Sequence, residues 1–159
     1  MAQSSFSPKQ LNQILTNLMG RRIRVGYKFP QGDFGITHSS GTANANVGRL
    51  HLDRPFYDLV LGQRPAKGLP LALGTLMHEL GYHSLDAVNY KPIINATGGI
   101  DAGPNRKAQE DIADAWGFGN AMQVAQALGY SPMQARAARQ AFMKFRAKHP
   151  YRDDGTSSP

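Results

Sequence analysis

His78 and Glu79 stand side by side in the run LPLALGTLMHELGYH, and a second histidine, His83, follows five residues after the first. Each residue of a regular helix turns about 100°, so residues four apart share a face. Leu69, Leu73, Leu76 and Leu80 then form one apolar stripe, and His78 falls on the opposite side of the helix. An imidazole on that face is placed to give a nitrogen to zinc, and the adjoining carboxylate to act as general base on a zinc-activated water. Two zinc-binding histidines on one helix are ordinarily four apart, in the pattern H-E-x-x-H. Here Tyr82 occupies the fourth position. On an unbroken helix His78 and His83 diverge by about 140°, so sharing a metal requires a local break. Two breaks serve: a π-type widening near Leu80–Tyr82, or helix termination at Gly81 with His83 swung back from the following turn.

A second cluster lies at Glu110-Asp111-Ile112-Ala113-Asp114. Glu110 and Asp114 are four apart and share a helix face. A carboxylate from this separate helix would complete a set of two histidines and one carboxylate. Asp114 would hold the free ring N–H of a ligand histidine. The ordinary alternative for Glu110 and Asp111 is to complement the dipole of a helix start. Asp86, three residues past His83, is a rival third ligand or a loop-stabilising residue. Tyr82 is a ligand, an oxyanion donor or a packing residue. His51 reads as a solvated strand residue, and Trp116 and Phe118 read as core.

Composition narrows the chemistry. With no cysteine in 159 residues, disulfides, thiolate ligands and a Cys nucleophile are excluded, so a metal must be held by His and carboxylates. A hydrophobic content of 41% suits one domain with a packed core and argues against wholesale disorder. The first twenty residues lack the basic start and apolar stretch of a signal peptide, and no window is apolar enough to span a bilayer. The expectation is a cytoplasmic protein with no membrane partner. Eighteen Lys and Arg against eleven Asp and Glu give a net charge of +7, which raises a nucleic-acid reading. The cations are scattered, however. Arg136, Arg139, Lys144, Arg146 and Lys148 near the end read as a solvated helix face.

The elements that must position these residues follow from local signals. Ser7-Pro8 is a cap and first-turn pair, Leu11, Ile14, Leu15 and Leu18 recur at helical spacing, and Gly20 stops the helix. Residues 22–29 and 47–53 alternate as strands with one wet face, the second closed by Pro55, and the polar stretch between them reads as loop or irregular strand. After the histidine helix comes a loop, then a long helix over 106–128 ending at Gly129. A last helix opens at Ser131-Pro132 and runs to about Lys148. Residues 1–150 form one domain and 151–159 a flexible tail.

HELGYH followed by EDIAD resembles the gluzincin metallopeptidases, which pair an H-E-x-x-H helix with a downstream E-x-x-A-D helix that donates a glutamate ligand. The E-x-x-A-D match (Glu110, Ala113, Asp114) is intact, and TLMHELG (Thr75 to Gly81) is typical of the active-site helix. The resemblance spans about residues 45–120. It is similar to the small intracellular zincins of bacteria, phages and mobile elements. It implies an α+β zincin-like domain, with a short antiparallel sheet packed on the active-site helix and further helices toward the C-terminus. It implies zinc held by His78, His83 and Glu110, with Glu79 as base and Asp114 behind a ligand histidine. An edge strand near Leu50 would pair with a peptide or protein substrate. A zinc-dependent peptidase is the first reading. The alternatives are a catalytically degenerate zincin-fold binding or structural module, and a metal-free, basic nucleic-acid-associated protein.

Overall fold

Ser7 opens the first helix by a reciprocal exchange. Its hydroxyl accepts from the Gln10 N–H at 3.1 Å, and the Gln10 side chain accepts from the Ser7 N–H at 2.9 Å, which satisfies two donors that a helix start leaves orphaned. In this computed structural model, which describes residues 5–20, 22–28, 35–39, 47–62, 67–87 and 105–152, that helix is α1, Pro8–Met19. Its Leu11 and Leu15 are fully buried. Gly20, at φ 67°, ends it in the left-handed conformation that glycine adopts without strain.

Strand β1 (Arg22–Lys28) turns Ile23 and Val25 inward and leaves Arg22 and Arg24 exposed. Two of its backbone N–H groups are taken by α1: Ile23 donates to Thr16 Oγ1 and Val25 to Asn12 Oδ1, each at 2.9 Å. Side chains of α1 thus cover donors that an edge strand would otherwise leave open. Strands β2 (Gly35–Ser39) and β3 (Val47–Asp53) complete a three-stranded sheet of order β1-β3-β2. Leu50 and Leu52 are fully buried, and their strand is the central one, with β1 and β2 on its two sides, not the edge strand expected to pair with a peptide.

The sheet corrects the expectation of an antiparallel one. β1 lies parallel to β3, and only β2 runs antiparallel to it. Part of the Gly-, Ser-, Thr- and Asn-rich stretch read as loop or irregular strand forms β2, paired with β3 along its whole length. β1 lies on the other flank of β3 and runs antiparallel to β2, so chain direction reverses from β1 to β2 and again from β2 to β3. Pro55 does more than close a strand. It lies in the first turn of a short helix, α2 (Arg54–Val60).

Helix α3 (Leu69–Ala87) is the centre of the molecule. Leu69, Leu73, Leu76 and Leu80 are buried as their spacing predicts, and so are Thr75, Met77, His78 and Glu79 on its other sides. Helices α4 (Asn105–Ala127) and α5 (Pro132–Lys148) pack against it. No break separates His78 from His83. The helix is regular through Ala87, without a π-type widening and without a stop at Gly81.

Gly81 has another role. A Cβ there would stand 2.5 Å from the Ala113 carbonyl oxygen and 2.8 Å from its Cα, so α4 rests directly on the glycine backbone. Gly117 of α4 meets the Met77 backbone in the same way, with a notional Cβ 3.2 Å from its carbonyl. Gly74 admits α5, with Phe142 Cβ at 2.6 Å and the Ala138 oxygen at 2.8 Å. Among the described residues no helix is long and apolar enough to cross a membrane.

Gly81→Ala should therefore destabilise the protein by about 1–3 kcal/mol, the usual cost of overpacking, despite alanine's better helix propensity. Gly119, where a Cβ meets nothing within 4 Å, is the control. Gly119→Ala should stabilise by about 0.5–1 kcal/mol. Urea denaturation of the two variants checks both signs.

Candidate functional site

α3 and α4 pass antiparallel here, since Gly81 meets Ala113 while Met77 meets Gly117. The crossing lays the E-x-x-A-D face of α4 on His78. Nδ1–H of His78 donates to Asp114 Oδ1 at 2.6 Å, so Nε2 is the nitrogen left for a ligand. Nε2 faces Glu110 Oε2 at 3.2 Å and Glu79 Oε1 at 3.9 Å. His78, Glu79 and Asp114 are buried, and Glu110 is nearly so. Phe142 of α5 stacks on the imidazole at 5.5 Å between centroids, which limits rotation of the ring.

Three carboxylates thus lie against one imidazole. Burial by itself would drive the His78 imidazolium to lose its proton. The hydrogen bonds to Asp114 and Glu110 and the charges of Glu79 and Glu110 outweigh burial and raise its pKa from 6.5 to about 10. The site is built for positive charge at Nε2. Zinc suits it chemically, being a cation for which imidazole nitrogen and carboxylate oxygen are ordinary donors. Two donors of a tetrahedral zinc, each about 2.0–2.2 Å from the ion, stand roughly 3.3 Å apart. His78 Nε2 and Glu110 Oε2 are 3.2 Å apart, a separation that would admit two donors of one ion and is equally that of an N–H···O hydrogen bond.

A third donor is not found within this set. Among the described residues no group of three or more His, Asp or Glu is arranged to hold a metal ion. The side chains of Tyr82, His83 and Asp86, the other ligand candidates, lie outside the described residues. On the regular α3, position 82 is one helical turn above His78, and position 83 is about 140° around the axis from it.

Two site residues were not legible in the sequence. Arg146, read as part of a solvated basic face, is half-buried. Its Nε donates to Asp114 Oδ2 at 2.9 Å. The signal available was its place one turn after Phe142, which is buried. Tyr151, assigned to the tail, is packed in place. Its hydroxyl donates to Glu110 Oε2 at 2.7 Å, and its ring lies under the Arg146 guanidinium at 3.7 Å. Burial, then the negative charges of Glu110 and Asp114, push the Tyr151 phenol above its usual value, so it remains a donor. No spacing rule pointed to it. Arg136, Arg139, Lys144 and Lys148 are exposed, as a solvated face requires. Trp116 packs against the core, and the Phe118 ring lies 5.9 Å from that of Phe142.

No family model, curated protein or solved structure matches this chain.

Asp114 joins His78 to Arg146 in a setting sheltered from water, so removing its carboxylate takes away the anion that the guanidinium and the imidazole share. Asp114→Ala should destabilise the metal-free protein by about 3–5 kcal/mol. The exposed Lys107–Asp111 pair, at 2.8 Å, contributes little because water and salt screen it. Asp111→Ala should stay within about 0.5 kcal/mol of the parent. Denaturant melts in the presence of chelator compare the two.

Proposed function

We propose that the chain is a cytoplasmic zinc-dependent hydrolase acting on peptide bonds, with the ion held by His78 and Glu110 and with Glu79 as general base. One observation carries this reading: Asp114 occupies His78 Nδ1 at 2.6 Å, which turns Nε2 toward Glu110 and Glu79. Zinc, when bound, supplies Lewis acidity, acidifying water and polarising a carbonyl group. The chain's own residues do the rest. Asp114 fixes the His78 tautomer and raises the basicity of Nε2. Glu110 brings negative charge from a second helix, so the donor set does not depend on α3 alone. Glu79, buried beside His78, is placed to accept a proton at its carboxylate and pass it to a leaving amine.

The regular course of α3 supports a second reading on the same fold. With His78 and Glu110 as the described donors and position 83 turned about 140° away, the site would serve as a binding or structural module and carry out no hydrolysis.

Metal analysis followed by a peptidase assay tests both. Protein loaded with zinc and desalted should keep about one ion per chain, and His78→Ala should keep none. Glu79→Gln should keep the ion and lose hydrolysis by about 100-fold or more. His83→Ala should leave zinc affinity close to that of the wild type, because position 83 on the regular α3 is turned about 140° from His78. Retained zinc with no hydrolysis of any peptide by the wild type would establish the second reading, and no retained zinc would overturn both.

A further inference from the structure

α5 ends at Lys148, yet the chain does not leave the site there. The Arg146 Nη1 group donates to the His149 carbonyl at 3.0 Å, while its Nε pairs with Asp114 and its guanidinium covers the Tyr151 ring. One side chain thereby folds residues 149–151 back over α4. The Tyr151 hydroxyl arrives at Glu110 Oε2 at 2.7 Å and lies 3.4 Å from Asp114 Oδ1. The oxygen it reaches on Glu110 is the one that faces His78 Nε2.

We propose that Tyr151 is a positioning residue for Glu110: its hydroxyl holds the Glu110 carboxylate against His78, as Asp114 holds the His78 ring. This rests on the zinc reading above. A glutamate side chain on a helix surface has several rotamers, and ordering one costs conformational entropy. A hydrogen bond from a neutral donor to an ionised carboxylate is among the stronger ones, and here it selects the rotamer that points into the site. The aromatic ring is held separately by Arg146, so the hydroxyl can be removed without losing the packing. Partners that orient a ligand in this way contribute roughly 10–100-fold in metal affinity.

Full-length Tyr151→Phe tests the proposal through three readouts. These are zinc affinity by competition with a chelating indicator, the visible absorption spectrum of the cobalt-substituted protein, and thermal unfolding of the metal-free protein. The expected result is zinc binding weakened about tenfold or more, an altered cobalt spectrum, and metal-free unfolding close to that of the wild type. Unchanged zinc affinity with an unchanged cobalt spectrum would overturn the proposal and leave the zinc reading standing. A variant that fails to fold, or whose metal-free unfolding falls in step with its affinity, would make the contact structural and overturn it too. A wild-type protein that binds neither ion would overturn both readings.

Discussion

The contact on which the site depends is between backbones. Gly81 lets α4 come down onto α3 at Ala113, and Gly117 lets α3 come up to α4 at Met77. Side chains at those two points would separate the helix axes, and interior packing is dense enough that such a separation is not absorbed locally. The reach of Asp114 to His78 is a short hydrogen bond of 2.6 Å, whose strength falls off steeply with distance. The two glycines therefore act on the chemistry without touching it.

Charge adds a second constraint. The helix crossing gathers Glu79, Glu110 and Asp114 around one imidazole in a region sheltered from water. Buried carboxylates are tolerated when paired and hydrogen-bonded. Arg146 supplies one positive partner, and the raised pKa of His78 shows that the cluster favours another. A proton on Nε2 meets that demand in the metal-free protein. The ion proposed above would compete with that proton for the same nitrogen.

The sheet stands apart from this chemistry and supports it by packing. Leu50 and Leu52 of β3 belong to the same core as Leu73, Leu76 and Leu80 of α3. α1 closes part of the β1 edge through Thr16 and Asn12, and among the described residues β2 has no strand on its outer side.

What could be read from the sequence was local. The caps at Ser7 and Ser131, the leucine stripe of α3, the inward residues of β1 and β3, and the extent of α4 and α5 all depend on periods of 3.6 or 2 and on bonds between near neighbours. Those patterns also singled out His78, Glu79, Glu110 and Asp114 as residues able to share one chemistry. The tertiary structure alone decided that α3 stays regular past Gly81, because that glycine answers to Ala113 on another helix and not to its own turn. It alone brought in Arg146 and Tyr151, which meet Asp114 and Glu110 across 32 and 41 residues of chain. Contacts of that separation are set by how α3, α4 and α5 pack together, and a pattern of neighbours along the chain carries no record of them.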